Sequence, residues 1–90
     1  MSRQTIWKYN IPLKDEPLIV MQQNAKILAV HTQRDVPCLW ALVDAESSTE
    51  VRRFRLRGTG HDANGINADK YVGTFLLYEN ELLVFHLFEA

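Results

Sequence analysis

Cysteine is almost missing from this chain. Cys38 stands alone among ninety residues, so no internal disulfide can form, which fits a reducing cytosol. Long hydrophobic runs are missing too: nothing approaches the roughly 20 apolar residues of a membrane span. The opening Met1-Ser2-Arg3-Gln4-Thr5 has no apolar core of a secretory signal. A formal charge of −1 leaves no excess of positive charge, which argues against a general nucleic-acid binder. There is no internal repeat, low-complexity tract or linker, so residues 1–90 are read as a single domain. A chain this short buries only about 60–65% of the surface its unfolded form exposes, and its stability is thin unless it self-associates.

Helical spacing is the last absence. Only Gln22-Gln23-Asn24-Ala25 and Asn67-Ala68-Asp69-Lys70 could each supply a turn of helix. What is present instead is period two. Thr5 to Asn10, the short apolar run Leu18 to Met21, Ala25 to Gln33, Pro37 to Asp44, Val51 to Arg57, Tyr71 to Glu79 and Glu81 to Glu89 all read as strands. Arg34-Asp35-Val36 joins one hairpin, and Asn80, suited to the positive φ of a tight turn, joins another. The expected fold is all-β: a small antiparallel sandwich or partly open barrel of about six or seven strands, with at most one or two short helical turns. Both strands of the last hairpin are apolar on both faces and must be covered on both sides, in so small a chain by another subunit.

Charge is distributed unevenly. Residues 51–61 carry four arginines and no acidic residue before Asp62, whereas no Lys or Arg follows Lys70. In an extended strand Arg53, Arg55 and Arg57 share one face, and Arg52, Phe54 and Leu56 share the other. Same-face neighbours stand roughly 6.5–7 Å apart, and each guanidinium is a planar fork suited to phosphate or carboxylate oxygens. The alternative is a solvated face whose arginines pair with Asp44, Glu46 or Glu50, each pair contributing only about 0–1 kcal/mol.

Gly58-Thr59-Gly60-His61 follows directly. Its glycines would let backbone N–H groups converge on an anion, or would simply make a turn. Gly58, Gly60 and Ala63 match G-x-G-x-x-(G/A), but Asn64-Gly65 breaks the chain where that fingerprint needs a helix, and no Walker lysine follows. His31, His61 and His86 fall in three different elements with no metal-ligand spacing. His31 and His86 are read as core or interface residues, and His61 as a ligand contact or proton carrier. Cys38 is read as buried packing, and Ser47-Ser48-Thr49 lacks nucleophile-elbow glycines. Most aromatic residues are assigned to the core, with Trp7 and Tyr9 the ones expected at the surface.

Six segments together resemble a family of small uncharacterised proteins encoded by bacteriophages and prophages. They are Ile6 to Tyr9, Ala25 to Val30, Pro37 to Asp44, Arg53-Phe54 with Gly58 to His61, Tyr71 to Phe75, and Val84 to Glu89. The resemblance implies a bacterial cytoplasm during infection, where small phage proteins bind host defence components or sequester signalling nucleotides; no activity is carried over with it.

The sequence therefore leads to a non-enzymatic, cytoplasmic, homo-oligomeric protein that captures a small anionic ligand, such as a host immune signalling nucleotide. Arg53, Arg55 and Arg57 would hold the anion, and Gly58, Thr59, Gly60 and His61 would close around it. No catalytic residue, cofactor, metal or membrane contact is expected. The alternative is a protein-interaction module, an inhibitor or adaptor of a host or phage protein. An enzyme acting on nucleotides through His61 is the third reading.

Overall fold

The alternation seen in the sequence is realised as strands almost throughout. The computed structural model describes residues 3–90. Its elements are β1 (Gln4–Asn10), β2 (Leu18–Gln22), β3 (Lys26–Gln33), β4 (Val36–Asp44), β5 (Thr49–Gly58), a 3₁₀ turn (Ala68–Lys70), β6 (Tyr71–Glu79) and β7 (Glu81–Glu89). The fold is all-β, as expected: seven strands in two antiparallel sheets, ordered β1-β4-β3 and β2-β5-β7-β6. Residues 22–25 form a turn, and Asn67–Lys70 supplies the single 3₁₀ turn, its Asn67 side chain accepting from the Asp69 N–H.

Period two decides which side chains go inward. Leu39, Ala41 and Val43 of β4 face Ile19 and Met21 of β2, Phe54 and Leu56 of β5, Phe75 of β6 and Leu87 of β7 in one core cluster. Each large apolar side chain removed from water there contributes about 1.5–3 kcal/mol before conformational entropy is counted. Turn chemistry fixes the register. Arg34 and Asp35 take φ of 53° and 64°, the paired left-handed conformation whose twist suits a two-residue hairpin. Asn80 turns β6 into β7 at φ 61°, with Glu79 opposite Glu81.

The two sheets meet closely along one side. β3 and β6 are edge strands of different sheets that lie against each other, bridged where the Thr32 hydroxyl donates to the Leu76 carbonyl at 2.8 Å. Gly73 makes this approach possible: a Cβ there would stand 2.9 Å from Val30 Cβ. On the other side the edges of β1 and β2 share no ladder. The crossover from β1 to β2 fills part of that gap with buried Ile11 and Pro17. It also tracks β5, the Leu56 N–H donating to the Asp15 carbonyl at 2.9 Å and the Phe54 N–H to the Pro17 carbonyl at 3.0 Å. The result is a partly open barrel.

Gly73→Ala is expected to force β6 away from Val30, costing about 1–3 kcal/mol. Thermal unfolding should show a Tm lower by at least roughly 4 °C in a domain of this size. An unchanged Tm would mean that the corner has slack.

Candidate functional site

The pairing of β5 with β7 and β2 builds the outer face of the larger sheet. Phe54 and Leu56 point inward and are buried, which sends Val51, Arg53, Arg55 and Arg57 outward. Register pairs Arg55 with Phe88 and Arg57 with His86 on one side, and Arg53 with Leu18 on the other. The three arginines singled out in the sequence therefore stand in one row, with Phe88 and His86 along its β7 side and Leu18 followed by the crossover residues Glu16 and Asp15 along the other.

Their partners are mostly carbonyl oxygens. Arg57 donates to the Asp15 carbonyl at 2.8 Å and to the Leu56 carbonyl at 2.9 Å. Arg55 donates to the Gly65 carbonyl at 2.8 Å, and its Nε lies 3.6 Å from a Glu16 carboxylate that is itself largely exposed. Among the described residues the Arg53 guanidinium has neither a hydrogen bond nor an ion pair. A carbonyl fixes a guanidinium in place without cancelling its charge, and an exposed pair such as Arg55–Glu16 stabilises little. The pairing with Asp44, Glu46 or Glu50 weighed above does not occur. The Asp44 carboxylate accepts from the Arg3 and Glu46 N–H groups, and that of Glu50 accepts from the Asn24 N–H. Arg52 behaves differently. Pointing inward, it is held by the Glu89 carboxylate and the Ala25 carbonyl.

The glycine loop divides. Gly58 closes β5, and Thr59 and Gly60 turn the chain, with Gly60 at φ 87°. The loop does not gather its N–H groups around an open space: Thr59 N–H donates to the Val84 carbonyl and His61 N–H to the Gly58 carbonyl, each at 3.0 Å. The Thr59 side chain stays with the arginines. The His61 ring instead packs where a Cβ on Gly58 would stand, the side of β5 that also carries Phe54 and Leu56. Arg53, Arg55, Arg57 and Thr59 are thus brought to one face, and His61 is not.

His86, rather than His61, is the imidazole that stands beside the arginines. It is half-buried on the outer face, with Nε2 2.7 Å from the Thr59 hydroxyl and Nδ1 3.1 Å from the Thr74 hydroxyl, which lies 2.5 Å from the Tyr71 hydroxyl. Both ring nitrogens engage hydroxyl groups that can either donate or accept, so the ring is held next to Arg57 in either tautomer. The signal was available: His86 shares outward parity with Leu82, Val84 and Phe88.

Shape limits what the face can hold. A hollow of about 120 Å³ lies beside Arg53 and Arg55, lined also by Glu16 and Leu18, well below the roughly 300 Å³ at which small-molecule pockets begin. A larger hollow of about 540 Å³ lies beside Arg52, with Lys26, Asp69, Lys70 and Glu89 on its walls, but its charges are mixed and its arginine is already paired. No group of three His, Cys, Asp or Glu residues able to hold a metal ion occurs among the described residues. Cys38 is buried. No helix among the described residues is long and apolar enough to cross a membrane.

Fold and face together define a small two-sheet β-protein with an arginine row on an otherwise apolar outer surface. The chain belongs to a family described as a domain of unknown function (DUF7352), whose family model matches residues 2–90. Neither a curated protein nor a solved structure matches it.

The differing partners of the arginines have a measurable consequence. Arg53→Ala should leave stability within about 0.5 kcal/mol, whereas Arg57→Ala loses two carbonyl hydrogen bonds and should cost about 1 kcal/mol. Chemical denaturation of the two variants checks the order, and equal losses would mean that Arg53 is held as firmly as Arg57.

Proposed function

We propose that this is a non-enzymatic binding protein that takes a small anionic ligand, with phosphate groups as in a nucleotide, on the row Arg53, Arg55 and Arg57. One observation carries the reading. Three guanidinium groups project side by side from a strand, two of them steadied by backbone carbonyls, and among the described residues only the exposed Glu16 carboxylate lies within 4 Å of any of them. Such a row presents donor forks at a spacing of roughly 6.5–7 Å with little of its charge cancelled. Thr59 and His86 add a hydroxyl and an imidazole at its end. The resemblance to phage and prophage proteins is the ground for the choice of ligand: in the cytoplasm of an infected bacterium, signalling nucleotides of host defence are anions of the right kind.

A second reading is favoured by shape. The row crosses a flat sheet face whose adjoining hollow is small, and flat arginine-rich surfaces suit a protein partner with clustered carboxylates. In that case the protein is an adaptor or inhibitor and no small molecule is involved.

Thermal unfolding with cyclic and linear nucleotides separates the two. A ligand at about 100 times its Kd should stabilise by about 2.7 kcal/mol, which raises Tm by roughly 10 °C or more, and Arg53→Glu should abolish the rise. No rise with any nucleotide, together with a stoichiometric protein captured from host lysate and lost on Arg55→Glu, would transfer the function to the adaptor. Absence of both would remove the arginine row from the account.

A further inference from the structure

Beyond the arginine row the same sheet face changes character. Past the Gly58–Phe85 rung β5 has ended, and the β6–β7 hairpin continues as a two-stranded arm to Asn80. One side of the arm is covered: Phe75 and Leu77 are buried. The outer side of the whole hairpin carries Tyr71, Thr74, Leu76 and Tyr78 from β6 and Leu82, Val84, His86 and Phe88 from β7, with no formally charged residue among the eight. Within it Tyr71 is 53% exposed, Leu76 50%, Tyr78 65% and Leu82 58%. The outer face of the smaller sheet offers a contrast, because Lys8, Lys26, Gln33 and Asp44 interrupt its apolar residues.

We infer that a second copy of this chain covers this face, through a twofold interface in which the outer sides of two β6–β7 hairpins pack together. Area is the first argument. The four exposed apolar side chains of the hairpin at roughly 100 Å² each, with the half-buried side chains between them, put about 500–600 Å² per partner into the contact, at the lower bound of a specific interface. Composition is the second. An aromatic and aliphatic centre free of charge, bordered by arginines, is the anatomy of a protein interface rather than of a solvated surface. Symmetry is the third: an isologous contact uses one self-complementary patch. With the axis through the hairpins, the two arginine rows fall at opposite margins and do not repel across the centre. Supply is the fourth. An uncovered apolar sheet face is an aggregation liability from the moment of synthesis, and the one partner present whenever the chain is made is another copy. The inference uses side chains other than the arginines and shares only His86, at the border of the two, with the anion-binding reading, so the two are tested separately.

Sedimentation velocity of the full chain across a concentration series tests it. The chain should sediment as a dimer at about 10 µM. Leu82→Glu should weaken dimerisation roughly 100-fold or more, because each substitution acts twice across the axis, and the milder Tyr78→Ser should act in the same direction. Both side chains are exposed in the single chain, so the far-ultraviolet circular dichroism of the variants should match the unsubstituted protein. Arg53→Glu, the variant that removes the anion, should remain dimeric. A monomer at every concentration, or a dimer untouched by both hairpin substitutions in folded protein, would overturn the inference. Loss of the dimer with Arg53→Glu alone would do the same, because it would put the contact on the arginine row.

Discussion

Leu56 opposite Leu87, with Phe54 two rungs away on the same face, sets the register between β5 and β7 on which the rest of the larger sheet depends. Both leucines are in the core. Because side chains alternate, a slip of a single residue would carry Phe54 and Leu56 into water and drive three guanidinium groups inside. An unpaired charge in that position costs several kcal/mol. The same burial that holds the sheet together therefore aims Arg53, Arg55 and Arg57 outward. Fold and candidate site are two sides of one strand.

Neighbouring arginines on that strand show how much parity decides. Arg52 points inward, meets Glu89 and the Ala25 carbonyl, and serves as a structural tie between β5, β7 and the start of β3. Arg55 and Arg57 point outward and rest on carbonyls of the β1–β2 crossover, the loop after β5 and β5 itself. The crossover thus has two duties: it lines β5 with backbone hydrogen bonds and steadies the arginine row from one end.

Strands and their facing were legible because period two is strong where one side is buried. Val51 to Arg57, Tyr71 to Glu79 and Glu81 to Glu89 all formed as read, and the doubly apolar hairpin does present one covered and one open side. What could not be read was which strands become neighbours. His86, assigned to a core or an interface because its strand is apolar on both faces, stands by register opposite Arg57 and Thr74, on the outer face next to the arginine row. His61 looked better placed by its glycines, but the turn folds its ring to the other side of β5. The aromatic assignment also needed correcting. Trp7 is 37% exposed, but the hydroxyl of Tyr9 is buried, and Tyr71 and Tyr78 are the more exposed pair, because on β6 they share the outward parity of a face that nothing in the same chain covers.

Closure on one side only gives the barrel a mechanical bias. Where β6 leans on Val30 across Gly73, the backbone comes so close that no side chain would fit between them. Where β1 and β2 run unladdered, the seam is held by a crossover and a few buried side chains. Segments with fewer shared rungs open at lower free energy, so thermal breathing spreads the two sheets like covers about a spine at β3 and β6. Amide hydrogens of β2 would then exchange sooner than those of β7, and the crossover that steadies Arg57 would loosen first, making the grip of the arginine row sensitive to whatever stiffens that seam.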